Sequence, residues 1–403
     1  MHGGTHSEVA IVGAGPAGAH LARRLAEAGV RVRLFDPQVP WEKPCGGGIT
    51  HKAWSMFPVL RHEDLPRNEV YHSLQISPHR RFFVIDEGDA LVITSRRALG
   101  EVMLGEATAA GADFVPLRVS NVARDDHRVR LLTDAGEFTA DYIVGADGVR
   151  SMVREAFLGK LPRGRTLGAI CRFYEGGPED PTLIRITTQP GYAWAFARHD
   201  CLAVGAGSMQ HGFDLNGALA DFMRDFFPDR QPLGPPQGAL LPYMHDLSAY
   251  RESRSGKDWA VIGDAGGFVD TLTGEGIIYA VWSADLLANA FLAGRPQTYD
   301  RAWRKAFGPH LLTGAYVARY VFKPRFIDNF FAAITVCPAL RDMFMDYIWN
   351  LPPYPVLLRR ALVTMPRILR QWRDFRRRGG VIERSRLAPF EALEGHVNLR
   401  LDE

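Results

Sequence analysis

The stretch EVAIVGAGPAGAHLARRLAEAGVRVRLFDP, residues 8–37, does most to restrict what this chain can become. It reads as a strand, a tight glycine turn, a helix and a second strand. The first strand is a continuous apolar run, the pattern of a parallel strand covered on both faces. Gly13 makes the turn, Gly15 lets a pyrophosphate approach the backbone, and Gly18 lets the helix pack on the sheet. Ala17 lies in the first helical turn, whose positive end points at that phosphate. Asp36 ends the second strand, where a carboxylate accepts hydrogen bonds from an adenosine ribose. The same carboxylate repels a 2′-phosphate, so the dinucleotide is FAD or NAD rather than NADP.

Two later stretches bear on that choice. ADYIVGADGVRSMVREAF (140–157) is an apolar strand, a Gly-Ala-Asp-Gly turn and a helix. DWAVIGDAGGFVDTLTGEGIIYAVWSADLLANAFLAG (258–294) is a strand, a glycine-rich loop and a long apolar helix. The order GxGxxG, GADGVRS, then GDA with TGEG resembles the FAD-dependent oxidoreductases of the p-hydroxybenzoate hydroxylase fold. The resemblance implies that Asp264 binds the ribityl or pyrophosphate part of FAD, and that Gly274, Gly276 and Ile277 present backbone N–H groups to the flavin. A helix N-terminus there stabilises an anionic reduced ring. It also implies FAD contacts from Val122 and from an arginine at a helix start. That arginine is Arg96 in VITSRRALGEVML, with Arg97 its nearest rival.

Within that group the chain most resembles the geranylgeranyl reductase family, over roughly residues 8–295. KPCGGGI (43–49) corresponds to the family's cysteine-plus-glycines segment, which places Cys45, Gly46, Gly47 and Gly48 against the isoalloxazine ring. Side chains at the three glycines are expected to collide with that ring. TLTGEGIIYA (271–280) has Thr271 where the family has proline. PGYAWAFARHDCLAVGAG (190–207) matches a YxWxFP segment followed by GxG, with Ala197 in place of the proline.

GYAWAFA alternates large and small residues with period two, which puts Tyr192, Trp194 and Phe196 on one face of a strand. They either fill a core or roof a cavity for a long apolar substrate. The small residues between them and the glycines after them favour the cavity, with the opposite face bare. Gly205 and Gly207 lack a third glycine in register, so no second dinucleotide site is expected, and the electron donor is external: NAD(P)H or a small redox protein. GFDLNGALADFMRDFFP reads as one amphipathic helix with Phe222, Phe226 and Phe227 on or near its apolar side. His51, Tyr243 and His245 are either ligand contacts or structural residues.

The resulting fold class is α/β: a Rossmann-type FAD-binding domain (1–72, 93–160 and 257–300), an inserted antiparallel-sheet substrate domain (73–92 and 161–256) and a C-terminal helical region (301–403). A chain of 403 residues with net charge +3 has room for several cores and gives no argument for nucleic acid. The four cysteines form no CxxC pair, which argues for a reduced compartment and against a metal site. No run is long enough for a membrane-spanning helix, and no signal peptide is legible. Arg359, Arg360, Arg367, Arg370, Arg373, Arg376, Arg377 and Arg378 are interleaved with Leu, Ile and Trp372. That pattern suits a helix lying on anionic lipid, and equally a solvated basic helix or a dimer contact. The expected location is the cytoplasm, peripheral to the inner face of the membrane.

The resemblance implies a reductase that saturates C=C bonds in the isoprenoid chain of a prenyl lipid, with a geranylgeranyl, ether-lipid or quinone side chain as substrate. Cys45 supplies or relays the proton, or is a small neutral filler; Tyr192 is the second candidate acid. The alternatives are a flavin monooxygenase or halogenase, and a non-redox flavin-dependent cyclase or prenyl-lipid binder.

Overall fold

The computed structural model describes residues 6–124, 128–188, 190–244, 246–350 and 354–377. His245 and Arg378 lie outside the described residues. The chain opens with β1 (His6–Val12), α1 (Pro16–Glu27) and β2 (Val32–Phe35). Then come β3 (Gly48–Ile49), α2 (His51–Met56), β4 (Arg67–Ile76), β5 (Phe82–Thr94) and α3 (Arg96–Ala109). β6 (Asp113–Val115), β7 (Val119–Arg124), β8 (Val129–Thr133), β9 (Gly136–Gly145) and α4 (Met152–Leu158) follow. The middle of the chain holds β10 (Thr166–Tyr174), β11 (Leu183–Ile186), β12 (Gly191–Ala197), β13 (Leu202–Ser208), α5 (Leu215–Phe226) and β14 (Gln237–Pro242). After α6 (Leu247–Arg251), β15 (Trp259–Val261) and α7 (Ile277–Leu292), the chain continues as helices. These are α8 (Tyr299–Ala306), α9 (Gly308–Val321), α10 (Pro324–Val336), α11 (Pro338–Asn350) and α12 (Tyr354–Arg377).

The first sheet runs β6-β2-β1-β9-β8-β7, with β15 also on β9. β6, β2, β1, β9 and β15 are parallel, and β1 is buried along its length from Val9 to Val12. One face takes α1, α3 and α7 through Leu21, Leu25, Leu99, Ile278 and Leu287. The other face packs with α4 and with the β8–β7 end of the same sheet in a second core that joins Ala10 and Val12 to Val129, Leu131 and Val153. This is the doubly covered arrangement that the apolar run of β1 requires.

The second sheet runs β14-β10-β13-β12-β11-β4-β5-β3. It is antiparallel except where β11 meets β4, the joint between the two stretches of chain that build it. β4 begins at Arg67, six residues before the expected start of the inserted sheet. The period-two alternation of β12 holds: Ala193, Ala195 and Ala197 face one side, Tyr192, Trp194 and Phe196 the other. The small-residue face is not bare, however. α5 lies on it, inserting Leu219, Phe222, Met223 and Phe226, since a surface of alanines leaves room for phenylalanines to approach the backbone. Asp214 caps α5 by accepting the Gly217 N–H at 2.9 Å.

Candidate active site

The aromatic face of the second sheet and the glycine loops of the first enclose one continuous cavity of about 1620 Å³. At one end it is bordered by Gly13, Gly15, Ala17 and Asp36, and at the other by Phe330, Phe344 and Tyr347 of α10 and α11. α1 starts at this border with no side-chain cap, so its first N–H groups remain for an anionic ligand. Gly18 lies behind the border. A Cβ there would stand 1.8 Å from the Gly13 carbonyl oxygen, so its absence sets the approach of helix to loop. Asp36 holds the loop together by accepting the N–H groups of Ala14 (2.9 Å), Gln38 (2.8 Å) and Val39 (3.0 Å).

Arg96 borders the cavity, and Arg97 faces solvent. Ser95 decides this register: its hydroxyl accepts the Ala98 N–H at 3.1 Å and fixes where α3 begins. The Nε of Arg96 is buried with no hydrogen-bond partner among the described residues. A buried, unpaired guanidinium N–H on the same cavity as the uncapped start of α1 suits the phosphates of FAD. Asp264, Gly276 and Ile277 border the same space. Val122 does not. It is buried in the core beneath with Val129 and Leu131, while Leu117, Arg118 and Val119 border the cavity. Val122 lies three residues, about 10 Å, along β7 from Val119, past a register shift between Val119 and Asn121.

The segment from Glu42 to Gly48 is pinned at several points. Glu42 accepts the Ser95 hydroxyl (2.7 Å) and the Arg96 N–H (3.0 Å), and pairs with Arg198 at 3.2 Å. Lys43 Nζ lies 3.2 Å from Asp264 Oδ2. The glycines then meet the protein's own aromatic rings. A Cβ on Gly46 would stand 2.5 Å from Cδ2 of Phe196 and 3.0 Å from Nε1 of Trp194; one on Gly48 would stand 2.8 Å from Phe196. At Gly46 and Gly48 the protein's own Phe196 and Trp194 thus call for bare backbone, independently of any cofactor ring. Gly205, opposite Trp194 on β13, makes room for the indole in the same way.

Cys45 borders the cavity beside Cys171, its Sγ accepting the Gly47 N–H at 3.4 Å. Burial, with Cys45 nearby, pushes the Cys171 thiol well up and keeps it neutral. Tyr192 donates its hydroxyl proton to the Thr273 carbonyl at 3.0 Å, and burial pushes its phenol up. Gly274 has φ +71°, and a Cβ there would stand 2.2 Å from the Tyr192 oxygen. Thr271, in the family's proline position, is buried, and its hydroxyl has no partner among the described residues. Ala197 uses the N–H that proline lacks, donating to the Thr182 hydroxyl at 3.4 Å.

His51 is outside the cavity, 3.2 Å from Asp89 and against Trp54, and Tyr243 is also outside it. Sequence reasoning missed the polar residues that do line the substrate side: Ser73, Gln75 and Glu87 on β4 and β5, and Lys52 and Glu275. Lys52 Nζ lies 2.6 Å from Glu275 Oε2, and the Thr50 hydroxyl donates to Oε1 at 2.7 Å.

Residues 6–62 match the FAD binding domain family. The chain is 30% identical over 322 residues to a chloroplastic geranylgeranyl diphosphate reductase of Oryza sativa subsp. japonica, covering 72% of this chain and 67% of that one. It is 28% identical over 367 residues to a menaquinone reductase of Mycolicibacterium smegmatis, covering 80% and 87%. Among solved structures, a geranylgeranyl bacteriochlorophyll reductase-like protein of Thermoplasma acidophilum superposes with a TM-score of 0.74 at 19% identity, covering 92% and 99%. The glycine loops, the uncapped start of α1 and the unpaired Nε of Arg96 suit FAD, the cofactor of the matching domain family. The chain belongs to the geranylgeranyl reductase family of FAD-dependent oxidoreductases.

Proposed function

We propose that this protein reduces isolated C=C bonds in the isoprenoid chain of a prenyl lipid. The observation that carries the reading is the single cavity that joins the nucleotide loops to a long wall of Trp194, Phe196, Phe83, Ile327, Phe331 and Phe344. An unconjugated alkene offers no carbonyl to polarise, so the protein must align it in a dry space. When bound, reduced FAD supplies the hydride. The residues of the chain do the rest. Lys43 and Asp264 hold the segment on which Cys45 sits; Tyr192 braces the Thr273–Gly276 turn; Trp194 and Phe196 exclude water. Cys45, on the wall beside the glycines, supplies or relays the proton to the second alkene carbon. The redox donor is external.

The test is incubation of the reduced holoprotein with geranylgeranyl, ether-lipid and prenylquinone substrates, followed by mass spectrometry. The expected product has gained two hydrogens per bond. A gained oxygen or halogen, or an unchanged mass, overturns the reading. Cys45→Ser is expected to retain FAD and its visible spectrum while losing about 10²-fold or more in kcat. Unimpaired turnover assigns the thiol to packing.

The cavity reaches α12 through Leu357 and Ala361, and Phe326 both lines it and is 47% exposed. Around this end Tyr320, Leu362, Val363 and Leu369 are exposed among Arg359, Arg367, Arg370 and Arg373. No helix among the described residues is long and apolar enough to cross a membrane. This surface suits a lipid bilayer's anionic face, from which a prenyl chain enters. Co-sedimentation with anionic liposomes is expected to fade as salt rises; binding indifferent to salt or lipid charge counts against it.

A further inference from the structure

The polar groups on the substrate-side wall are gathered at one place. β5 turns Phe83, Ile85 and Glu87 into the cavity at every second position, so a carboxyl group continues a face built otherwise of apolar residues. Pairing with β4 breaks at that point: His72 lies opposite Asp86, but Val70 lies opposite Leu91. Extra residues on one strand re-aim a side chain, and such bulges recur beside active sites. Glu87 is 8% exposed, and its Oε1 accepts the Ser73 hydroxyl at 2.7 Å. Ser73 Oγ in turn accepts from Gln75 Nε2 at 3.3 Å, and all three residues line the cavity.

The charged groups facing Glu87 are Asp86 on its own strand, Glu275 from the turn before α7 and Lys52 of α2. Lys52, paired with Glu275, favours a Glu87 carboxylate, but its effect is the smallest of these and is outweighed by burial and the two acids. Trp349 of α11 covers the neighbouring Gly88. A buried carboxyl group with one hydroxyl donor and two acidic neighbours keeps its proton.

Resting on the prenyl-reductase reading, we infer that Glu87 is the proton store of this cavity, from which the proton added to the alkene is drawn. The net step breaks the Glu87 O–H bond and the alkene π bond. The π electrons take that proton to form one C–H bond, and the hydride of the reduced flavin forms the other with its own electron pair. Cys45 is able to relay the proton without changing this balance. The carboxylate left behind is stabilised by the Ser73 hydroxyl and regains its proton from water at the cavity mouth. Burial, reinforced by Glu275 and Asp86, pushes the Glu87 carboxyl up to about 7, the range in which an acid both holds and gives a proton.

The test is Glu87→Gln in the FAD-loaded protein, with two readouts. Infrared difference spectra of the oxidised holoprotein, which need no substrate, are expected to show a protonated-carboxyl band that disappears near neutral pH and is missing from E87Q. In turnover, E87Q is expected to keep its FAD and KM, lose about 10²-fold in kcat and lose the wild-type decline on the alkaline side. A band that persists in E87Q, or an alkaline limb unchanged by the substitution, overturns the inference. If no prenyl lipid is reduced, the reductase reading fails, and the infrared titration still reports separately on Glu87.

Discussion

Gly47→Ala will yield a protein that does not retain FAD. Gly47 has φ +78°, where an L side chain costs about 1–2 kcal/mol on backbone grounds alone. The larger cost is steric. A Cβ at this position would stand 2.0 Å from the carbonyl oxygen of Thr94, and backbone cannot swing aside as a side chain can. The two strands are also tied there, with the Thr94 N–H donating to the Gly47 carbonyl at 3.1 Å. Relief of the clash must therefore move the Lys43–Gly48 segment off β5, taking Cys45 and the Lys43–Asp264 pair with it. The measurement is the flavin-to-protein absorbance ratio after purification and reconstitution, with Gly105→Ala as the control. Gly105 sits in α3 with nothing within 4 Å of the new methyl group, so that variant is expected to load normally and gain about 0.5–1 kcal/mol. A fully flavinated G47A would mean that the segment's position does not govern cofactor binding.

The reason Gly47 is predicted to matter differs from the one the sequence suggests, and the difference shows what a sequence can carry. The GxGxxG turn was legible because its constraints are local: Gly13, Gly18 and the start of α1 lie within six residues and meet each other. The alternation of β12 was legible because period two survives in any sheet. What lay against each face was not, because α5 and the Gly46–Gly48 segment reach β12 only through the tertiary fold. The choice of Arg96 over Arg97 had a usable signal in Ser95, a residue type suited to capping one position before the helix. Val122, carried over from the resemblance, sits past a register shift in β7 and off the cavity, and Glu87 was overlooked at another in β5. A bulge leaves no periodic trace, because it breaks the period by which strands are read. Lys52 and Glu275 are separated by more than two hundred residues, so nothing in either segment announces the pair.

The same holds for Asp270 and His310, whose separation is expected to weaken the enzyme at its cofactor. Asp270 is 1% exposed and organises the turn that precedes α7. Its Oδ1 accepts the N–H groups of Leu272 (2.7 Å) and Thr273 (3.2 Å), its carbonyl accepts that of Gly274 (2.9 Å), and its own N–H donates to Glu275 at 2.9 Å. Oδ2 lies 3.2 Å from Nε2 of His310 on α9, and the imidazole is stacked on Tyr347 of α11, a ring that borders the cavity. One carboxylate thus links the cavity-bordering turn before α7 to the C-terminal helices. Burial alone would raise its pKa, but the hydrogen bond and charge of His310, with help from Lys52 and the Leu272 N–H, hold it below the usual carboxylate range. A depressed carboxyl contributes stability above its unfolded pKa and loses it as pH falls through the folded value, so the loss is confined to acid, below about pH 4. His310→Ala strands a buried carboxylate and is expected to cost about 3–5 kcal/mol, read as a lower Tm and faster FAD release. Asp270→Ala removes the turn's acceptors as well and should be no better. Asp270→Asn keeps Oδ1 as an acceptor and should be milder than either, with a shallower loss of flavin on acidification than the wild type. If H310A keeps wild-type Tm and flavin retention, the turn is held by its own hydrogen bonds and the C-terminal helices do not support it.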